Sequence, residues 1–277
     1  MIYLILAVCA STLVSVLMRL SGKHSRNGMA MLASNYAMCT VAAGVLAGWP
    51  LFPAGEGLGL TVALGGINGV LYLAGFVLLR RCISRSGVVL PATFQKLGVV
   101  IPTIAAVTVF HEEAHWPQLL GVAVAIAAIL VMQDRREGQR ITGLAGLIAL
   151  LVVCGSCEVM SKVFANLGYT ALDDHFLFYT FATAFALCLG LCVAKRQGIA
   201  PADVLWGLAI GLPNYLSSFF VLGALREMPA VIVYPTYSAG TIIAVTLVGL
   251  LAFREQLDRR KLIALGMILA ALVLLNV

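Results

Sequence analysis

Charge is scarce in this chain. Lys, Arg, Asp and Glu make up 11% of its 277 residues while 61% are hydrophobic, where soluble domains carry about a quarter charged residues. With a mean hydropathy of +1.02, this composition excludes an ordinary water-soluble domain. Long polar stretches are missing too. The connections between apolar runs are too short for a soluble domain or a nucleotide-binding loop, which argues against ATP hydrolysis by the chain itself and calls for no cofactor. Loop cysteines are absent: Cys9, Cys39, Cys82, Cys154, Cys157, Cys188 and Cys192 all fall inside or at the ends of apolar runs. That excludes a disulfide framework and reads as small packing residues. No basic region precedes the first apolar run and no small-x-small exit follows it, so it reads as a retained helix rather than a signal peptide.

What is present is a succession of ten apolar segments, at about 2–20, 28–48, 58–79, 87–110, 117–133, 142–165, 174–194, 202–224, 229–252 and 261–276. Most reach the ~20 residues that a helix needs to cross a ~30 Å hydrocarbon core. The expected fold is an all-α membrane protein of ten transmembrane helices.

The net charge of +6 is unevenly distributed. Basic residues follow helices 1, 3, 5, 7 and 9: Arg19, Lys23 and Arg26; Arg80, Arg81 and Arg85; Arg135, Arg136 and Arg140; Lys195 and Arg196; and Arg254, Arg259, Arg260 and Lys261. The alternate connections hold only Arg226, among Glu56, Glu112, Glu113, Asp173, Asp174 and Glu227. Lys and Arg resist translocation, so the basic loops are predicted to be cytoplasmic, in a prokaryotic inner membrane, with both termini outside. The membrane surface, not nucleic acid, accounts for the basic balance.

The chain also repeats itself at an offset of about 143 to 145 residues. "VLMRLSG" (16–22) lies over "VMSKVFANLG" (159–168), setting Arg19 opposite Lys162; Pro91 meets Pro235, Phe110 meets Phe253 and Glu112 meets Glu255. The halves are expected at 1–136 and 137–277, five helices each. An odd count inverts the second half, giving repeats related by an axis in the membrane plane, with a substrate site expected near the midplane.

The fourth and ninth helices each end in Phe-x-Glu, followed by a short loop and a Gly-containing last helix ("LLGVAVAIAAILVM", "LIALGMILAALVLLN"). Here the sequence resembles the drug/metabolite transporter superfamily, in its EamA-like branch, over nearly its whole length. The resemblance implies ten helices, a central cavity and movement of small metabolites or drugs. The small multidrug resistance family, a relative in that superfamily, has a carboxylate in its first helix two turns before a basic residue. The matching positions here are Ser11 and Cys154, a departure that argues against a simple cation-for-proton exchange, although Glu158 sits one turn further along the same face.

Intramembrane charge is the main pointer to function. On helix 4, Thr93, Lys96, Val100 and Thr103 share one stripe, with Gln95 beside Lys96. Lys96 reads as a structural ion pair, a snorkelling side chain, or a substrate or coupling residue. Its expected partner is Glu158 on helix 6. Glu158 precedes Lys162 by four residues, the favourable order for a helical pair. If Lys162 neutralises Glu158, Lys96 is left for an anionic group on a solute; a Glu158 held out of water is instead a candidate proton carrier. Asn35, Asn68, Tyr72, Asn214, Tyr215, Tyr234 and Tyr237 are further candidates, each also readable as an interhelical hydrogen bond. The proline-bearing "GLPNYLSS" (211–218) and "VYPTYS" (233–238) offer cavity-lining backbone. Gly65 and Gly69 read as close helix packing.

"HEEAH" (111–115) matches the His-Glu-x-x-His pattern of zinc hydrolases, with His111 and His115 as ligands and Glu112 as base. It falls where helix 4 runs out, and its repeat partner "REQLD" has no histidine. "CGSC" (154–157) is Cys-x-x-Cys in mid-span and reads as packing. The sequence therefore predicts a transporter, not an enzyme, moving a small zwitterionic or carboxylate metabolite by alternating access. The alternatives are organic cations or drugs and, remotely, an intramembrane zinc hydrolase. The predicted partners are the solute, the bilayer and protons as coupling ion.

Overall fold

The computed structural model describes the whole chain except residues 23, 24, 26, 54, 87–90, 92, 93, 96, 114, 133–143, 195–197, 254–258, 276 and 277. Among the described residues it is all-helical, without strands: α1 (Ile2–Ser21), α2 (Gly28–Ala47), α3 (Leu58–Ser86), α4 (Val100–Thr108), α5 (Trp116–Met132), α6 (Leu144–Leu167), α7 (Asp173–Ala194), α8 (Pro201–Glu227), α9 (Ala230–Phe253) and α10 (Arg259–Leu275). A 3₁₀ turn, Thr170–Leu172, leads into α7. Seven of these helices are long and apolar enough to cross a membrane by length and composition.

Helix 4 is interrupted. Described residues 91, 94, 95 and 97 are helical, a turn intervenes at Gly98 and Val99, and the helix resumes as Val100–Thr108. At Gly98 the backbone turns tightly: its N–H bonds the Gln95 carbonyl and its own carbonyl accepts from Ile101. Several basic loop residues (Lys23, Arg26, Arg135, Arg136, Arg140, Lys195, Arg196 and Arg254), with Glu255, lie outside the described residues.

The chain divides into two compact units, Met1–Leu73 with Met160–Arg226 and Ala74–Val159 with Glu227–Val277. This partition differs from 1–136 and 137–277, because each unit draws helices from both stretches.

In the first unit α2 packs along α7. The Cys188 thiol reaches Met29 Sδ at 3.3 Å, and a side chain on Gly44 would meet the Phe178 ring at 3.3 Å. These contacts pair the start of α2 with the end of α7, so the two run antiparallel. Glycines let other helices approach backbone to backbone. A Cβ on Gly65 would sit 2.9 Å from that of Tyr179 on α7, and one on Gly69 2.5 Å from the Thr180 carbonyl. The second pair is Gly207 and Gly211 on α8, where added carbons would lie 2.6 Å from Ser34 Cβ and 2.5 Å from Met38 Cβ on α2.

In the second unit α5 packs along α10, and α9 contacts α4, α5 and α10. Ala128, Ala239 and Ile268 form one buried apolar cluster there. Cys82, Leu147 and Leu150 form another cluster, against which Cys154 packs. Gly98 and Gly155 lie back to back: a Cβ on Gly155 would be 2.6 Å from the Gly98 carbonyl.

Candidate functional site

In the first unit the close seat of α8 on α2 brings a buried and a half-buried amide together. Asn214 stands three residues after Gly211, and its Nδ2 donates to Asn35 Oδ1 at 3.4 Å. The Cys39 thiol donates to the same oxygen at 3.7 Å and to the Gly211 carbonyl at 3.2 Å. Beside this network four rings from four helices meet. Tyr36 lies 6.2 Å from Tyr72 and from Phe181, Tyr72 is 5.8 Å from Phe181, and Phe181 is 6.4 Å from Tyr215. The Tyr215 hydroxyl donates to Asp174 Oδ1 at 3.0 Å, in the first turn of α7. Asn68 is buried on α3, one turn before Tyr72, and Lys162 is buried on α6. Six predicted candidates, Asn35, Asn68, Tyr72, Lys162, Asn214 and Tyr215, thus belong to one unit. The Asn35–Asn214 bond is the interhelical hydrogen bond expected of such residues in a membrane.

The second unit holds the others. Glu158 is half-buried on α6, and its backbone carbonyl accepts a hydrogen bond from the Tyr234 hydroxyl of α9. Tyr234 is buried, Tyr237 half-buried and Gln95 exposed. Thr93 and Lys96 lie outside the described residues.

The zinc-hydrolase pattern has a different use here. Residues 111–113 and 115 are not helical, and His111 takes a left-handed backbone with φ 51°. The two imidazoles therefore do not stand one turn apart on a helix, as that chemistry requires. Glu112 instead accepts the Val231 N–H at 3.1 Å, capping the first turn of α9, where backbone donors have no intrahelical partner.

Two charged residues matter more than the sequence reading allowed. Asp203 is fully buried near the start of α8. Its carboxylate accepts from Ser25 Oγ at 2.8 Å, the Asn27 N–H at 3.2 Å and the Ala200 N–H at 3.4 Å. The last bond is the return half of a capping box, and "APAD" at 200–203, with proline in the first helical position, is its sequence signal. Asn27 in turn caps α2, accepting from the Met29 and Ala30 N–H groups. At the far end of α8, Arg226 Nη1 donates to the Ala165 and Gly168 carbonyls at 2.6 and 3.0 Å, satisfying the C-terminus of α6.

Residues 198–268, which hold α8, α9 and the beginning of α10, match the family model described as Small Multidrug Resistance protein. An uncharacterized protein of Haemophilus influenzae is 24% identical over 270 residues, covering 92% of this chain and 91% of its own. A protein of known crystal structure matches 99% of this chain and 94% of its own with a TM-score of 0.76 at 14% identity, a likeness of fold alone. The apolar helices mark an integral membrane protein, and the matched segment points to a membrane transporter. Over that segment the chain is similar to the small multidrug resistance family, a family of transporters, not enzymes, within the drug/metabolite transporter superfamily.

Proposed function

We propose that this chain is a ten-helix secondary transporter of the EamA-like branch, moving a small polar organic solute across a prokaryotic inner membrane by alternating access. The observation that carries this reading is the antiparallel packing of α2 on α7, which hold the same place in the two halves of the repeat. Counterparts facing in opposite directions are what an inverted duplication produces. The glycine pairs add support. Gly207 and Gly211 recur 142 residues after Gly65 and Gly69, and each pair seats its helix on the second helix of the other half.

In this reading Lys96 and Glu158 form the central charged pair, with Lys162 available to neutralise Glu158. Thr93, Gln95, Asn35, Asn68, Tyr72, Asn214, Tyr215, Tyr234 and Tyr237 are the polar residues along the solute's route. Opposite charges suit a zwitterion or a carboxylate metabolite such as an amino acid, and protons are the coupling ion. A second reading, transport of organic cations or drugs, is favoured by the match of residues 198–268 to a multidrug resistance family.

Reconstitution into liposomes tests both. Uptake of amino acids and of organic cations is measured against protein-free vesicles, with and without a pH gradient. Lys96→Ala is expected to abolish carboxylate uptake; unaffected uptake discards the carboxylate reading. Glu158→Gln is expected to remove the response to the gradient, and an unchanged response discards proton coupling through Glu158. Wild-type protein that moves neither class is not a transporter of this kind.

A further inference from the structure

Threonines in these helices have an easy partner in the carbonyl one turn back. Thr12, Thr40, Thr61, Thr103, Thr108 and Thr246 all use it, at 2.7 to 2.8 Å. Thr180 does not. It is 1% exposed, and its hydroxyl oxygen is buried with no hydrogen-bond partner among the described residues. Across the α3–α7 seam, Asn68 is also 1% exposed, and its Oδ1 is likewise buried without one. The two are neighbours, because the Thr180 backbone lies between Gly65 and Gly69: a Cβ on Gly65 would be 3.2 Å from the Thr180 nitrogen, and one on Gly69 2.5 Å from its carbonyl. The adjoining positions carry rings. Tyr72 follows Asn68 by one turn, Phe181 follows Thr180 directly, the two are 5.8 Å apart, and Tyr36 stands 6.2 Å from each.

A buried polar group left unbonded costs stability, so two in one seam call for a partner from outside the chain. Oδ1 only accepts, and a hydroxyl can accept. Aromatic faces attract cations. A carboxylate could bond the Asn68 amide nitrogen or the Thr180 hydroxyl, but it would leave Oδ1 unsatisfied and would meet the negative faces of the rings. A group with N–H donors and positive charge satisfies both features. We propose that Asn68 and Thr180, walled by Tyr36, Tyr72 and Phe181, form a subsite for the primary ammonium group of the transported solute. This rests on the transporter reading and narrows it, since amino acids and protonated amines both carry that group.

The test uses the full-length protein in detergent micelles with benzylammonium, benzyltrimethylammonium and benzoate as probes. A ligand of the folded state raises the melting temperature by an amount that grows as the logarithm of one plus the ratio of free ligand concentration to Kd. Benzylammonium is expected to do so, benzyltrimethylammonium far less because it has no N–H, and benzoate not at all. Thr180→Val and Asn68→Leu are expected to melt no lower than wild type without ligand, since neither loses a bond within the chain, and to bind benzylammonium about tenfold more weakly. The subsite is overturned by equal benzylammonium shifts in wild type and variants. It is equally overturned by no shift in wild type, or by variants that melt lower and bind as before, the mark of a structural role. Uptake into liposomes separates the two readings. Amine transport that ignores both substitutions sinks the subsite and leaves the transporter; variant-sensitive binding without any transport keeps the amine site and sinks the transporter.

Discussion

Arg226 Nη2 and Asp173 Oδ1 meet at 2.6 Å, joining the end of α8 to the start of α7. The same guanidinium holds two carbonyls at the end of α6 and lies 5.6 Å from the Phe164 ring, itself stacked on Phe176 at 4.2 Å. Arg226, isolated among acidic residues in the sequence, thus ties three helix ends together. With both side chains less than a fifth exposed, the pair sits between the surface and buried limits. Arg226→Ala is expected to cost about 2 to 3 kcal/mol. Unfolding in mixed micelles measures it, and a double-mutant cycle with Asp173→Asn should return a coupling of about 1 kcal/mol or more. Additive single effects would show that the ion pair does not carry the joint.

The glycine seams predict a sharp positional contrast. Gly69→Leu and Gly211→Leu drive side chains into neighbouring backbone and side-chain atoms, and each should cost several kcal/mol. Gly190 has open space around an added carbon, so Gly190→Ala should be neutral. Folded yield and melting temperature in detergent decide it; similar losses at all three positions would contradict the packing.

Glu112 acts through an acceptor oxygen on the Val231 N–H. Glu112→Gln keeps an acceptor and should melt close to wild type, whereas Glu112→Ala should lose about 1 kcal/mol. Stoichiometric zinc in the purified protein, lost on Glu112→Gln, would instead return residues 111–115 to the hydrolase reading.

Asp203 joins the Ser25–Asn27 connection to α8 by accepting from Ser25 Oγ and the Asn27 N–H, and it also accepts from the Ala200 N–H at the start of its own helix. Asp203→Ala leaves those donors unsatisfied and should cost about 3 kcal/mol, with Asp203→Asn in between because it retains one acceptor oxygen. Hydrogen exchange of the Asn27 amide is the local readout. Unchanged protection in Asp203→Ala would remove the carboxylate from that role.

The helices were largely legible because lipid leaves the backbone no choice. Each apolar run must satisfy its own N–H and C=O groups, so hydropathy and length alone locate a span. The turn that interrupts helix 4 at Gly98 leaves no trace in hydropathy. Gly65 and Gly69 could be read as a close contact, but not as a contact with α7. The equivalent Gly207 and Gly211, between Trp206 and Pro213, likewise carry no sign of α2 as their partner. Asp203 resembled an ordinary solvated helix start, and only its burial reveals otherwise. Asn35 and Asn214, 179 residues apart, gave no sign of meeting.

By itself, then, the sequence determined that the protein is a helical membrane protein and where its helices run, since those properties depend on local composition and on the thickness of the bilayer. Tertiary structure decided which helices share a seam, which charges act as caps or clasps, and that Asn68 Oδ1 and Thr180 Oγ1 lie buried in one seam with no hydrogen-bond partner among the described residues. Those outcomes depend on which backbones can approach closely, and a glycine pair permits such an approach without naming the helix that makes it.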